Sequence, residues 1–399
     1  MQVLVVNVGS TSLKFRLFRM EDEEILAAGR MERVGSRSSP FNYRRGREPE
    51  LKGKLKCPDQ RAAVDHALKL LTDPATGVLD SLEELDAVGF KPVHAKGIAD
   101  SVFITDPIIA AMEEYTPLAP AHNPPYIQAF RIFQEILPEK PLVGVFEPAF
   151  HKTIPEPART YGIPYEWSRT HAIRRYGFHG ASHRYVSLRA PELLGNPDRE
   201  LRIVSCHLGG SSSVCALKGG VSVETSMGFS PQSGLPNATR NGDLDPFVLL
   251  YLLDKENLTP AQLRDRLVKD GGLKGISGVS GDVRDLEEAA GQGHSRAALA
   301  LDVMVHETRK YIGAYAAVLG GLDALVFTGG IGENGIAIRR KICRGLEFLG
   351  IRLDPGANDS RGREGCISAP GSPAQVLVIL ANEELVIARE TEKLVRDER

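Results

Sequence analysis

Three short stretches of this chain combine residue types suited to anionic oxygens. Residues 203–217 read I-V-S-C-H-L-G-G-S-S-S-V-C-A-L: an apolar strand, a turn of glycine and serine, then a second apolar strand. Glycine lets backbone approach a ligand closely, and successive turn N–H groups with serine hydroxyls form a nest for anions. Residues 3–18, V-L-V-V-N-V-G-S-T-S-L-K-F-R-L-F, offer a second copy. Either hairpin alone is an ordinary turn, since Gly and Ser are turn formers. The pair suggests a duplicated fold with two phosphate-facing hairpins. The third stretch, residues 328–335, is T-G-G-I-G-E-N-G, with G-x-G-x-x-G at Gly330, Gly332 and Gly335 between an apolar strand and a helix. Too little chain follows for a complete doubly wound domain, so it reads as a glycine turn beside a nucleotide, not a Rossmann entry. No Walker A lysine motif occurs, which excludes P-loop chemistry.

Charged and imidazole side chains stand where such turns could use them. Strand alternation puts Ser12 and Lys14 on one face and Leu13 and Phe15 on the other, so Lys14 either reaches a phosphate or is a solvated strand lysine. Lys91 follows a strand at 85–90 and Glu147 follows one at 142–146. Strand C-terminal ends are where open α/β sheets bind ligands. In Y-G-F-H-G-A-S-H (176–183), read as joining a strand to a helix, His179 and His183 lie four apart. The glutamate of a zincin is missing, and a satisfied structural histidine is the default for each. Arg240 sits in a small-residue loop before the Asp245-Pro246 helix start. It either meets an incoming anion or pairs with Asp243 or Asp245.

These groups need elements to hold them. The chain has 399 residues, more than one core usually fills, so two domains are expected. Strands are expected at 3–6, 13–18, 25–28, 85–90, 142–146, 322–327 and 376–380. Helices are expected at 60–72, 107–115, 124–137, 247–253, 260–269 and 295–319, with another from 382 to the end. Residues 32–58, basic and rich in Gly, Pro and Ser, read as an exposed irregular insert around Arg44–Arg47. Residues 275–284 read as a turn-rich loop. A net charge of −2 gives no field for nucleic acid or an acidic membrane. Five scattered cysteines fit reduced thiols in the cytoplasm. Neither a signal peptide nor a transmembrane run is expected.

The motif set resembles the acetate/propionate/butyrate kinase family of the actin-like ATPase-fold kinases, nearly end to end. It is carried by N-V-G-S-T-S-L-K-F, Y-G-F-H-G-A-S-H, H-L-G-G-S-S-S, E-T-S-M-G-F-S-P with G-L-P-N-A-T-R-N-G-D-L-D-P, F-T-G-G-I-G-E-N and N-E-E-L-V-I-A. The resemblance implies two duplicated α/β domains of actin-like (ribonuclease H-like) fold with a nucleotide cleft between them. The first would span 1–148, completed by the helix 383–399, and the second 149–382. It also implies a homodimer, ATP/ADP with Mg²⁺ (or Mn²⁺), and reversible phosphoryl transfer to a short carboxylate. By position it assigns Asn7 and Glu383 to the metal, and Ser10, Ser12 and Lys14 to the phosphates. His179 and Arg240 match transition-state stabilisers. The nucleotide loops match His207, Leu208, Gly209, Gly210 and Ser211; Asp282, Val283 and Arg284; and Gly330, Ile331, Gly332, Glu333 and Asn334. The acyl pocket matches Val93, Phe178 and Pro231.

This chain departs from the family pattern at several of these places. Lys91 stands for the usual Arg that holds the carboxylate, Glu147 for Asp, Gly210 for Asn, Glu224 for Asp and Ala238 for Gly. Ala121 replaces a leucine of the acyl pocket, and Ala95-Lys96 replaces a glycine pair. The changes at Lys91 and Glu147 fall at the chemistry and bear on both substrate and turnover. A carboxylate nucleophile is already ionised near neutral pH, so Glu147 is expected to orient the metal or its water rather than take a proton. The alternatives are a nucleotide-binding paralogue with weak or lost kinase activity, and a hydroxyl-directed kinase of the same superfold.

Overall fold

The computed structural model describes residues 1–196 and 200–398, so position 399 of the expected last helix lies outside the described residues. The chain forms two compact units: Met1–Ala149 together with the chain from Asn382 onward, and Phe150–Ala381.

The first unit is built on eight strands: β1 (Gln2–Gly9), β2 (Ser12–Arg19), β3 (Glu24–Glu32), β4 (Ser36–Arg45), β5 (Leu51–Cys57), β6 (Ala87–Phe90), β7 (Ser101–Phe103) and β8 (Leu142–Val145). Their order is β5-β4-β3-β2-β1-β6-β8-β7. The outer strands alternate. Leu13, Phe15 and Leu17 of β2 are buried while Lys14 faces solvent. β6 (A-V-G-F) and β8 (L-V-G-V) are buried along their whole length because helices cover both faces. On one face Phe90 meets Phe130 and Phe133 of the helix Asn123–Ile136 edge-on, with centroids 5.0 and 5.3 Å apart. On the other, the helix Glu383–Glu398 lies so close that a Cβ on Gly89 would stand 2.4 Å from Thr391 Oγ1.

The expected irregular insert is instead the hairpin β4–β5. Its inner positions do alternate: Ser39, Tyr43 and Cys57 are buried, and Phe41 meets His66 edge-on at 4.8 Å. The Gly and Ser that looked like loop formers serve this inner face. Gly53 leaves room for the Phe41 ring, and Ser39 Oγ donates to the Arg33 carbonyl at 2.8 Å. The outer positions, among them Arg44, Lys52 and Lys54, carry charge on solvated strands.

The second unit holds β9 (Arg202–His207), β10 (Ser213–Lys218), β11 (Val221–Thr225), β12 (Ala324–Thr328), β13 (Gly365–Cys366) and β14 (Gln375–Val378), ordered β11-β10-β9-β12-β14-β13. This repeats the β3-β2-β1-β6-β8-β7 order of the first sheet: an antiparallel meander, two parallel strands, an antiparallel edge. The duplication read from two hairpins is therefore present in the topology. One face of this sheet packs with the helix Ser295–Leu319, the other with Gly180–Leu193. Residues 275–284 are not all loop, since a helix covers Gly272–Ser277 and another starts at Val283. No strand precedes the helix Gly180–Leu193 directly; residues 176–179 are loop, with His179 left-handed at φ 57°. Gly329–Asn334 is a short helix rather than a glycine turn.

Because Gly89 seats the helix that carries Glu383, Gly89→Ala should destabilise the protein by about 1–3 kcal/mol through overpacking. Adding Thr391→Ala should recover most of that loss. Thermal unfolding of the two variants and the parent checks this, and equal midpoints for parent and Gly89→Ala would refute it.

Candidate active site

In the first unit the parallel strands β6 and β8 end side by side, and the next residues meet there. Lys91 Nζ lies 2.5 Å from Glu383 Oε2 and 3.0 Å from Glu147 Oε1. All three side chains are largely enclosed. Burial alone would lower the Lys91 pKa, but the facing carboxylates of Glu147 and Glu383 outweigh it and hold the ammonium well above its ordinary value. Glu147 is fixed through its own N–H, which donates to the Pro92 carbonyl at 3.0 Å. The sequence read Lys91 as the anchor for a substrate carboxylate. The structure adds that it already bridges two acidic side chains.

Asn7 stands near this cluster on β1, opposite Lys14 in the β1–β2 register. Its Nδ2 donates weakly to Glu384 at 3.4 Å, and its Oδ1 is buried without a hydrogen-bond partner. A buried, unpaired amide oxygen next to carboxylates is the donor chemistry of a hard divalent cation. Lys14 is exposed, as the alternation required. It borders a cavity of 300 Å³ shared with Asn7, Arg16, Arg30, Arg44 and Glu384. Ser12 folds over the turn so closely that a Cβ on Gly9 would stand 2.7 Å from its hydroxyl, while Ser10 is exposed. Val93 is half-buried and Ala121 exposed in this unit; Phe178 and Pro231 are buried in the other.

In the second unit a cavity of 720 Å³ gathers Gly209, Gly210, Asp282, Val283, Arg284, Gly330, Ile331 and Asn334. Three segments far apart in sequence thus line one space. Gly210 and Gly330 have open space where a Cβ would be, so backbone faces the cavity there. His207, Leu208, Ser211, Gly332 and Glu333 are not among the lining residues. The Leu208 carbonyl accepts from the N–H groups of Ile331 and Gly332, and Glu333 Oε1 accepts from Gly329 and Ala381, so Leu208, Gly332 and Glu333 hold the loop. Motif reading missed Glu287, Ile336, Ala337 and Arg361, which also line it. No pattern marked them; Arg361 comes from the loop before β13, well beyond the glycine motif.

Arg240 is half-buried, and Nη1 donates to the Pro231 carbonyl at 2.9 Å. The alternative pairing with Asp243 or Asp245 does not form. Asp243 instead accepts from the Gly234 N–H and the Tyr311 hydroxyl, and Asp245 caps the helix Pro246–Lys255. Among the described residues Arg240 has no carboxylate partner, and burial lowers its pKa. An enclosed guanidinium without a counter-charge is poised for an anion.

His179 precedes the helix Gly180–Leu193, one turn before His183. Its ring stacks on His207 at 4.2 Å and its Nδ1 meets Ser213 Oγ at 2.8 Å. His183 is fully buried between Ser205 and Ser213, and burial pushes its pKa well down. His151, also buried, is pushed down to about 4. It lies 2.8 Å from Ser222 and 2.9 Å from the Phe178 carbonyl, so it braces the residue before His179.

The duplicated sheet order, the glycine-lined cavity and an enclosed guanidinium lacking a carboxylate partner among the described residues fit a phosphotransferase. A family model described as the acetokinase family matches residues 2–389, and the chain belongs to that family. It is similar to the acetate kinase of Dictyoglomus turgidum, 49% identical over 99% of this chain and 98% of that one. Among solved structures it is similar to a Porphyromonas gingivalis acetate kinase (41% identity, TM-score 0.88, 99% of both chains). It is also similar to a Francisella tularensis propionate kinase (35% identity, TM-score 0.89, 98% of this chain and 99% of that one).

The buried histidines predict acid lability. His151 and His183 are neutral in the fold but take up protons near pH 6.5 once unfolded, so the unfolded state binds more protons below that pH. Stability should therefore fall as pH drops from 6.5 toward 4, by up to about 1.4 kcal/mol per pH unit for each histidine. Denaturant titrations across this window should give a shallower slope for His151→Gln than for the parent; equal slopes would contradict the assignment.

Proposed function

We propose that this kinase phosphorylates acetate and related short carboxylates reversibly, using ATP and giving the acyl phosphate and ADP. The observation that carries the reading of the site is the half-buried Arg240 without a carboxylate partner among the described residues. A carboxylate oxygen attacks the terminal phosphorus, the bond to the ADP oxygen breaks, and no proton need move. The work left to the protein is positioning and charge neutralisation. Arg240 and His179 donate to the equatorial oxygens of the transferring group. Lys91 holds the acceptor carboxylate as a point charge, without the fork an arginine would supply. Ser10, Ser12 and Lys14 take phosphate oxygens, and the cavity around Gly210, Asp282 and Gly330 takes the nucleoside.

Asn7 and Glu383 would hold Mg²⁺, with Mn²⁺ as a substitute and Glu147 orienting the ion or its water; the orphaned Asn7 Oδ1 supports this assignment. When bound, the ion neutralises phosphate charge. The family resemblance assigns Val93, Ala121, Phe178 and Pro231 to the acyl group. With alanine where the family has leucine, a longer acyl chain should fit, since each buried methylene contributes about 0.8 kcal/mol.

A homodimer is supported by the helix Pro246–Lys255, which has no buried residue while Phe247, Leu250 and Tyr251 are more than half exposed. A second copy would cover that apolar face; sedimentation of a monomer at micromolar concentration would remove this reading. No described helix is long and apolar enough to cross a membrane, and a cytoplasmic location is proposed from the five free thiols.

Trapping the product with hydroxylamine tests the function. Incubation with ATP, Mg²⁺ and acetate, propionate or butyrate should yield hydroxamates, with propionate at least matching acetate. ADP release with glycerol and no hydroxamate from any acid would favour a hydroxyl-directed kinase. Arg240→Ala should lower kcat by about 10²–10³ with a much smaller change in KM for ATP. Unchanged turnover in that variant would remove Arg240 from the chemistry.

A further inference from the structure

The second sheet buries a row of hydroxyls and imidazoles on the face covered by the helix Gly180–Leu193. Ser205 and His207 share one face of β9, and Ser213 sits directly across from His207 in the register. His179 and His183, four residues apart at the start of the helix, fall onto the same row. The contacts form one line: Ser205 Oγ to His183 Nδ1 at 2.9 Å, His183 Nε2 to Ser213 Oγ at 2.8 Å, and Ser213 Oγ to His179 Nδ1 at 2.8 Å.

We infer that Ser205, His183 and Ser213 form a buried relay that fixes His179 as a donor through Nε2, which makes all three positioning residues for phosphoryl transfer.

The direction follows from counting hydrogens. Among the described residues the Ser205 hydroxyl, fully buried, has His183 Nδ1 as its one hydrogen-bond partner. A buried hydroxyl hydrogen is seldom left without an acceptor, so Ser205 donates and His183 Nδ1 accepts. His183 is neutral because it is buried, and a neutral imidazole carries one hydrogen. That hydrogen must sit on Nε2 and is donated to Ser213 Oγ. Ser213 has one hydroxyl hydrogen, and its remaining partner is His179 Nδ1, so Ser213 donates there. His179 Nδ1 is thereby an acceptor, and the hydrogen of the neutral ring is on Nε2. Reversing the row would leave the Ser205 hydrogen buried with no acceptor. The stacked His207 ring, itself 2.8 Å from Ser182 Oγ through Nδ1, keeps the His179 plane in place. An imidazole N–H aimed by such a row can stabilise a developing anion without gaining a proton.

The inference rests on the reading of His179 as a transition-state stabiliser, and the test separates the two. Nitrogen NMR of the histidine-labelled parent should show His179 as the neutral Nε2–H tautomer at neutral pH. In Ser213→Ala that ring should become a mixture of tautomers, and kcat should fall about tenfold with KM values unchanged. That loss is smaller than the roughly 10²–10³ expected when a donor is removed outright. Ser213→Thr keeps the hydroxyl and should restore both signals. Ser205→Ala should likewise release the tautomer of His183 and, through it, of His179. A parent spectrum with His179 protonated at Nδ1 overturns the relay even if no variant folds. A correct tautomer with full kcat in folded Ser213→Ala overturns the positioning role. Full kcat in His179→Ala overturns the underlying reading of His179 and leaves the relay a structural one.

Discussion

The ammonium of Lys91, held between Glu147 and Glu383, is the interaction that organises the acidic end of the first unit's sheet. Two carboxylates brought together out of water repel, and a pair of them needs a cation to stay ionised. Here the fold supplies that cation from the neighbouring parallel strand. Strand β6 delivers Lys91, β8 delivers Glu147, and the last helix returns Glu383 to the same end of the sheet. The lysine has fewer donors than an arginine, and the glutamate reaches further than an aspartate. The two departures from the family pattern therefore meet in one contact at 3.0 Å.

The second unit handles charge in the opposite way. Arg240 is enclosed with one carbonyl for company, and the histidines His151 and His183 are kept neutral by burial. Neutral donors and a guanidinium free of carboxylate partners suit a reaction in which negative charge moves but protons do not. Preorganised donors in a water-poor site stabilise such charge with little reorganisation. The carboxylate acceptor, ionised before it arrives, asks for nothing more.

Much of this was legible in the sequence because it follows short-range rules. Alternation in 13–18 placed Lys14, apolar periodicity located the helices at 60–72 and 295–319, and two glycine–serine hairpins announced the duplication. What was not legible depends on partners distant in the chain. The hairpin β4–β5 hid because its solvent face is charged and its inner face uses serine and glycine around Phe41. The serines that orient His179 hid inside apolar strands, where a lone hydroxyl signals nothing until the register sets Ser213 across from His207. The motif named Glu333 but not its partners, the backbone N–H groups of Gly329 and Ala381, because Ala381 lies far along the chain.

The central claim is that the substrate carboxylate itself is the nucleophile, positioned by charge and needing no base. Acetate labelled with heavy oxygen at both carboxylate positions tests it directly. After turnover with ATP and trapping by hydroxylamine, the acyl carbon–oxygen bond breaks and phosphate leaves with the bridging oxygen. Phosphorus NMR should show one heavy oxygen in each phosphate released with hydroxamate. Phosphate carrying no oxygen from acetate would contradict the account, because the phosphoryl group would then have gone to water or to the protein.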